Sequence, residues 1–290
     1  MIKRRIAELR RTGSLRHYPG LNQLQWRTCT LRDAPLDAIS AVIQSAWQRA
    51  YGNRIRIAFS PEFFRYVAAG ARHSGLVTFA EDQEGVCGAV LGLPLDWVNT
   101  SPSSVFTGTL TTGLSTTARW EGAGLVETLL ATHAINLIDA GHTCSFHWRA
   151  NETPSAAMPQ NLRCAKQIPL YAKPLRCTEA IRYGRLSWWQ GLGFRYLALR
   201  HPIRHRLPDG FSMASFAPGL AVSYARFLNE FQPMNELRRC FYPETLQAQS
   251  AFAEGALRGA GWAFFDGNAL AGMIWGYVNP IDEQAAYFAI

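Results

Sequence analysis

Apolar positions follow a helical spacing near the start of the chain. Over residues 36–47 they recur at intervals of three and four, which is typical of one buried face of an amphipathic helix. A second helix is predicted to begin at Ser60 and to end near Gly70, because Ser60 can cap it and Pro61 suits its first turn. The pattern therefore predicts two consecutive helices.

The spacing then changes to short apolar runs separated by turn residues. Runs at 75–80 and 86–95, joined by a polar turn, predict a β-hairpin, and 105–114 predicts a further strand. A glycine-containing turn follows, and the chain beyond it is predicted to form a helix over 125–140, a strand over 143–149 and a long functional or flexible loop over 149–173. A short helix-to-strand unit is predicted over 187–194, and it leads into a strand segment over 195–201.

A similar order of elements returns near the C-terminus. Helices are predicted at 218–232 and 242–258, a hairpin with strands at 262–265 and 270–277, and a last strand at 284–290. Two helices, a hairpin and a strand thus occur twice, which predicts an internal repeat. We divide the chain into a polar leader (1–30), a first unit (31–200) and a shortened second unit (201–290).

Composition narrows the setting. No apolar run reaches the roughly 18 residues of a membrane span, and the basic N-terminus lacks the apolar stretch of a secretory signal. The six cysteines form no CxxC pair, which favours free thiols in a reducing cytoplasm over disulfides or a metal site. The net charge of +8 is carried mostly by arginine. It indicates a solvated basic surface or an acidic partner, such as CoA phosphates or an acyl carrier protein; nucleic acid is disfavoured because the arginines are dispersed.

The strongest chemical signal is the turn over residues 119–124, with the letters RWEGAG. It follows a predicted strand and opens a predicted helix. Glycines let backbone amides approach a pyrophosphate, the helix presents its positive end, and Arg119 can add a charge-assisted bond. A plain tight turn is the alternative interpretation.

The element order and this turn resemble the GNAT acyltransferase superfamily, whose motif is R/Q-x-x-G-x-G/A. Residues 188–194 (WWQGLGF) resemble the segment before the last GNAT strands. A narrower resemblance, to the N-myristoyltransferases, is carried in one order by 51–64 (YGNRIRIAFSPEFF), 88–94 (GAVLGLP), 206–208 (RLP), 227–231 (FLNEF), 241–243 (FYP) and 285–287 (AAY).

The resemblance implies an α/β GNAT fold with a mixed twisted sheet and a second, shortened GNAT-like repeat. It implies direct attack of an amine on a thioester, with the backbone amides of Thr111 and Thr112 as oxyanion hole. The alternative is that both threonines are ordinary strand residues. No tightly bound cofactor is expected, since acyl-CoA or acyl-phosphopantetheine is a substrate; it would contact Leu114, Arg119, Trp120, Glu121, Gly122, Ala123 and Gly124.

The sequence departs from that family at two places. The family turn is strongly basic, whereas Glu121 and Gly122 replace two of its basic residues, so we hypothesise a carrier-protein donor. The family uses its C-terminal carboxylate as base, after a complete second unit that is shortened here. We therefore expect His147 to be the base, followed by Glu152 and then the carboxylate of Ile290.

The expected function is transfer of a fatty acyl group to an amine of a peptide or small amino compound. Apolar side chains such as Val90, Leu91 and Leu93 are predicted to favour a long chain. Two alternatives stay open. One is a short-chain N-acetyltransferase using acetyl-CoA, and the other is a non-catalytic module that binds an acyl or CoA group.

Overall fold

The computed structural model describes residues 18–51, 59–100, 103–147, 188–200, 207–231, 237–282 and 285–289. The strands are β1 Gln25–Thr30, β2 Leu76–Asp82, β3 Gly85–Thr100, β4 Ser103–Thr116, β5 Cys144–His147, β6 Phe211–Ser215, β7 Leu237–Arg239, β8 Ala253–Glu254, β9 Leu257–Asp266, β10 Ala269–Asp282 and β11 Ala285–Ala289. The helices are α1 Leu36–Tyr51, α2 Pro61–Ala69, α3 Leu125–Asp139, α4 Trp188–Arg200, α5 Ala221–Phe231 and α6 Pro243–Ser250.

The strands form two sheets. The first has the order β1-β2-β3-β4-β5, with β7 added to the far part of β3. Its pairs are antiparallel except β4 with β5, which are parallel because α3 carries the chain back between them. The second sheet has the order β11-β10-β9-β6, with β8 on β9. The predicted mixed α/β architecture is therefore confirmed.

Helices cover both faces of the first sheet. Neighbouring residues of β3 point to opposite faces, as the strand repeat requires. Leu91 joins a core with Ile39 and Ile43 of α1, whereas Val90 joins a core with Leu129 of α3. Both faces of β3 are thus buried, and β3 is the partner of β4, the strand that leads to the predicted site.

The C-terminal part has its own core and also touches the first sheet. Tyr224, Leu246 and Ala263 pack together between α5, α6 and β9. The ring of Phe63 on α2 lies 5.4 Å from that of Tyr277 on β10, and β7 extends the first sheet through its pairing with β3. The strands of the two parts therefore meet at the far part of β3.

Several predicted elements are confirmed, with small shifts in their ends. The two early helices are α1 and α2, and the side chain of Ser60 caps α2 by accepting from the amide of Phe63. The C-terminal hairpin is β9 and β10, which turn at Gly267 with φ +56°. The hairpin of β2 and β3 and the helix α3 also lie where the pattern predicts them.

The predicted leader was wrong over residues 18–30. Leu21 and Leu24 are only 1% and 3% exposed and belong to the core under α3. The six residues of β1 pair antiparallel with β2. The sheet therefore starts earlier than the apolar periodicity suggests, because β1 is short and largely polar.

Two secondary-structure predictions were also wrong. Residues 195–200, predicted as a strand, continue the helix α4. The helix predicted over 242–258 ends at Ser250, and the chain then turns at Gly255 (φ +55°) into β9. The predicted loop over 149–173 lies outside the described residues, and the unit boundaries at 200 and 201 stay predictions.

Candidate functional site

A bulge interrupts β4 just before the glycine-containing turn. Leu91 pairs with Thr112 and Ala89 with Ser115, so Gly113 and Leu114 together face Val90. Two residues opposite one define a β-bulge, in which the extra residue drops out of the ladder. Gly113 has φ +65°, and a Cβ at this position would lie 2.5 Å from Cδ1 of Leu91. Backbone conformation and space therefore both favour glycine here.

The bulge lies next to the point where the described part of β5 ends. β5 pairs in parallel with residues 108–111 of β4, and its last pair joins His147 to Thr111. The hydroxyls of Thr111 and Ser145 are 2.7 Å apart across this ladder. The pair of Thr111 with His147 lies two positions before the bulge residue Gly113.

The two predicted oxyanion residues both have strand partners. Thr111 pairs with Gly92 and His147, and Thr112 pairs with Leu91. The residues that leave the β3 ladder are the next two along the chain, Gly113 and Leu114. A glycine inside a strand pattern is the sequence signal for such a bulge, and the sequence reasoning did not use it.

The turn after β4 has the conformation that its glycines permit. Residues Ala118–Trp120 form a short 3-10 turn, and Gly122 and Gly124 have φ +75° and +76°. Gly124 is the residue before α3 and provides no side-chain cap. The start of the helix is covered by the ring of Tyr18 and carries Glu127 in its first turn.

The basic side chains around this turn form ion pairs with carboxylates. Arg119 lies 2.9 Å from a carboxylate oxygen of Glu84. Arg49 at the end of α1 lies 2.9 Å from Glu121 and donates to the carbonyl of Thr116 at 2.8 Å. The positive charge expected for phosphate binding is thus locally balanced by acids.

Trp120 and Tyr18 anchor the turn. Trp120 is buried, and its indole N–H donates to Asp82 at 2.7 Å. The pKa of Asp82 is lowered, mainly by this hydrogen bond. The ring of Tyr18 lies where a Cβ on Gly124 would be, and its hydroxyl donates to Glu127 at 2.8 Å. Trp120, which was predicted to contact the donor, is therefore a structural anchor of the turn. Leu114 and Ala123, also predicted donor contacts, pack against the same core.

The predicted base ends β5. The backbone of His147 pairs with Thr111, and its side chain, like Glu152 and Ile290, lies outside the described residues. Another histidine, His142, has its Nδ1 2.6 Å from the hydroxyl of Thr109. The pKa of His142 is lowered, mainly because the side chain is partly buried. It precedes β5 and was not predicted.

A buried polar network lies under α3. The hydroxyl of Thr78 on β2 is 3.0 Å from Nδ1 of His133 on α3 and 3.1 Å from the hydroxyl of Thr28 on β1. Asn136 donates to Thr28 at 2.7 Å. A Cβ on Gly92 would lie 2.6 Å from Nε2 of His133. This network fixes α3 against the sheet, so its side chains have a structural role.

The apolar side chains proposed to favour a long chain lie in the packed core. Val90 and Leu91 have no exposed surface and Leu93 is 4% exposed. Leu91 and Leu93 belong to the core under α1 and α2, and Val90 belongs to the core under α3. They do not line one common cavity.

A second polar cluster, missed by the sequence reasoning, lies where β7 joins β3. The buried carboxylate of Asp96 accepts from the hydroxyl of Thr107 at 2.8 Å, and His73 approaches it at 3.7 Å. The guanidinium of Arg72 stacks on the ring of Tyr242 at 4.6 Å. Burial is the main cause that raises the pKa of Tyr242 to about 12. Residues of the first sheet and of the C-terminal part thus meet here, but no sequence motif marks them.

Two features are absent from the described ranges. No group of three or more His, Cys, Asp or Glu side chains there could hold a metal ion. None of the helices in that part of the chain has both the length and the apolar character needed to cross a membrane.

Comparison with known proteins finds similarity in structure only. No protein-family profile matches the chain, and no curated protein matches it in sequence. Saccharomyces cerevisiae N-myristoyltransferase with bound myristoyl-CoA superposes with a TM-score of 0.65 at 9% identity, covering 89% of this chain and 61% of that one. A second structure of that enzyme with myristoyl-CoA gives 0.64 at 8% identity, covering 91% and 60%.

At this level of identity the similarity shows the fold. The chain has the fold of N-myristoyltransferase, and the GNAT-type fold predicted from the motifs is confirmed. The chain spans about three-fifths of the length of the proteins it matches.

Proposed function

We propose that the protein is an N-acyltransferase that moves an acyl group from a thioester to an amine. The observation that carries the proposal is the bulge at Gly113 and Leu114, next to the last described β4–β5 pair, within the fold of N-myristoyltransferase. The amine nitrogen attacks the thioester carbonyl carbon, the carbon–sulfur bond breaks, and the thiolate leaves. The amine proton passes to a base and the thiol is restored by protonation.

The bulge supports stabilisation of the developing oxyanion. Gly113 and Leu114 leave the regular register with β3, and we assign their amides as the donors to the carbonyl oxygen of the thioester. We place the oxyanion hole there, directly after Thr112. One such donor contributes roughly 10²–10³ to the rate of acyl transfer.

For the base we retain His147. Its backbone lies opposite Thr111, beside the bulge, and an imidazole ordinarily titrates near neutral pH. Substitution His147→Gln should lower kcat at neutral pH far more than it changes donor KM. A variant with unchanged kcat would transfer this role to another group.

For the donor we favour a phosphopantetheine thioester on a carrier protein. Glu84, Asp82 and Glu121 stand beside the arginines of the turn and would oppose the several phosphate charges of CoA. A carrier protein brings a single phosphodiester at its arm and a broad acidic surface, which a chain of net charge +8 would attract over a Debye length of about 8–10 Å.

Salt separates the two donors. With a carrier protein, kcat/KM should fall steeply between low and moderate salt, whereas turnover of acyl-CoA should be slow and nearly flat. Saturation by micromolar acyl-CoA, with no gain from the carrier protein, would assign the donor role to CoA.

The length of the acyl group defines a second candidate. The resemblance to N-myristoyltransferases favours a fatty chain, whereas the full burial of Val90 and Leu91 in separate packed cores favours a short-chain N-acetyltransferase. Each buried CH₂ adds about 0.8 kcal/mol of binding free energy. Competition with thioesters of two to fourteen carbons should therefore show affinity rising with length for a fatty acyltransferase and staying flat for an acetyltransferase.

The direct test supplies both donor types with peptides and small amines as acceptors. Mass spectrometry would detect the amide, and a thiol reagent would count the thiol released, which should appear in equal amount. Thioester binding without any amide would instead identify a non-catalytic binding module. The free thiols of Cys29, Cys87, Cys144 and Cys240 suit our placement of the reaction in the reducing cytoplasm.

A further inference from the structure

A pocket of about 350 Å³ lies where β7 joins the first sheet. Its walls come from β3 and β4 through Val98 and Val105, and from the C-terminal part, chiefly through Asn229, Arg238, Arg239 and Phe241. No acidic residue is among the described residues that line it. The described lining therefore combines two arginines with apolar side chains.

Arg238 supplies a donor that the described protein does not satisfy. Its Nε has almost no solvent contact and no hydrogen-bond partner among the described residues. Within the same ranges no carboxylate lies within 4.0 Å of its guanidinium. A buried guanidinium nitrogen without a partner is unfavourable, and an incoming anion would supply the missing acceptor.

Arg239 adds a second, more shielded charge. Its guanidinium stacks on the ring of Phe241 at 4.9 Å. Burial lowers the pKa of Arg239, so its positive charge is held in a poorly solvated position. Two guanidinium groups on adjacent residues therefore meet the pocket without an acid in its described lining.

The pocket is held in shape by Asn229. Its side-chain amide donates to the carbonyl of Phe241 at 2.9 Å, and its oxygen accepts from the amide of Phe241 at 3.0 Å. These two bonds fix the chain that carries Phe241 against α5. Val105, which is 63% exposed, leaves an apolar edge open to a ligand. The site is thus preformed, and its Val105 edge is open to solvent.

We propose that this junction pocket binds an oxyanion, a carboxylate or phosphate, carried on an apolar group, with Arg238 as its main contact. Planar guanidinium groups recognise both anions through paired hydrogen bonds. Val98, Val105 and Phe241 provide the surface for the apolar part.

The pocket belongs to the acceptor, an assignment that rests on the proposed N-acyltransferase function. Val105 and Thr112 lie seven positions apart on β4, which is about 24 Å at 3.4 Å per residue. A donor held at the turn over residues 119–124 lies beyond the bulge, on the other side. An extended peptide whose amine reaches the bulge would place about its eighth residue at the pocket, so the acceptor is a peptide with an acidic group near that position.

Calorimetric titration of the full chain tests the pocket without any donor. Benzoate and phenyl phosphate should bind, and benzyl alcohol, of similar size but neutral, should bind at least tenfold more weakly. Arg238→Gln should weaken both anions about tenfold or more, while Arg32→Gln, the same charge change at an exposed position, should not.

A second variant guards against misfolding of the first. Val105→Asp places a negative charge at the exposed edge, should keep the melting temperature, and should also weaken the anions about tenfold. The proposal is overturned if neither anion binds, if benzyl alcohol binds equally well, or if both variants bind like the unmodified protein.

The acceptor assignment has its own test. Eight-residue peptides with Glu at position eight should show a KM several-fold lower than peptides with Gln there, or with Glu moved to position four. Equal KM values with measurable acyl transfer would remove the assignment and leave the proposed function intact. Absence of transfer with every peptide would count against the function, and the calorimetric result would still decide the pocket.

Discussion

Two regions of this protein carry arginines, and they differ in how those charges are balanced. At the glycine turn, Arg119 faces Glu84 and Arg49 faces Glu121. At the junction pocket, the Nε of Arg238 is buried without a partner among the described residues. The motif that predicts anion binding thus lies in the neutralised region, while the unsatisfied charge lies where no motif points.

The difference concerns solvent as well as charge. The Arg119 and Glu84 side chains are 57% and 78% exposed, so their ion pair contributes little and can open at low cost. Arg238 has lost water around its Nε and has gained no described acceptor. A phosphate at the turn must therefore displace carboxylates, whereas an anion at the junction would supply the hydrogen-bond acceptor that the Nε of Arg238 lacks.

The largest effect is expected from disrupting the strand that leads to the turn. Gly113→Ala combines a positive φ, costing about 1–2 kcal/mol, with overpacking against Leu91 and Ile43, costing about 1–3 kcal/mol. We expect denaturant titration to show a loss of about 2–5 kcal/mol, together with loss of acyl transfer.

Gly122→Ala is the matched control. It also has a positive φ, but nothing lies within 4 Å of its added Cβ, so it should cost only about 1–2 kcal/mol. Equal losses for the two variants would mean that the packing around the bulge does not matter. Benzoate binding at the junction should survive both changes.

Replacing one arginine of each region by methionine, Arg49 at the turn and Arg238 at the junction pocket, tests the comparison directly. Arg49→Met removes the bonds to Glu121 and to the carbonyl of Thr116 and should destabilise the protein by about 1–2 kcal/mol. Arg238→Met removes a buried unpaired donor and keeps the apolar stem, so it should be neutral or stabilising by about 1 kcal/mol. Thermal unfolding of the two variants should shift in different directions; a loss at Arg238 equal to that at Arg49 would show that Arg238 is already satisfied.

Acid titration examines the carboxylates of the turn. The pKa of Asp82 is lowered in the folded state, mainly by the hydrogen bond from Trp120. Its stabilisation is therefore complete above the unfolded pKa of about 3.9 and is lost as pH falls through the lower folded value. Asp82→Asn should cost about 1 kcal/mol at pH 7 and should flatten stability curves below about pH 4. An unchanged acid limb would show that Asp82 does not contribute to it.

The smallest effect on stability is expected at Arg119. Because its ion pair is exposed, Arg119→Gln should change the free energy of unfolding by less than about 0.5 kcal/mol. Its effect should appear in the donor KM instead, which would rise several-fold if phosphate displaces Glu84. Glu84→Gln is the paired control and should lower that KM. Opposite changes in the two variants would support the exchange, and unchanged KM values in both would remove Arg119 from the donor site.

Local patterns were enough to predict much of the fold. The helix α1 follows from its three-and-four spacing, and α2 from Ser60 and Pro61 at its start. The hairpin of β9 and β10 follows from the turn at Gly267. The turn over residues 119–124 was placed correctly because it needs only neighbouring residues to specify it.

Short or mixed segments could not be assigned in this way. β1 has six largely polar residues, and β7 has three, so neither shows a periodicity of its own. Each becomes a strand because β2 or β3 offers it a partner. The bulge at Gly113 likewise depends on the register against β3, which distant residues determine.

The sequence by itself determined most of the order of the elements and the glycine turn before α3. Only the tertiary structure decided which charges are neutralised. Arg49 meets Glu121 across 72 positions of sequence, and Arg238 meets Val98 and Val105 across more than a hundred. Periodicity encodes which side of a segment is buried, because that depends on near neighbours. The partner of a charge depends on which segments the fold brings together, and composition carries no record of that.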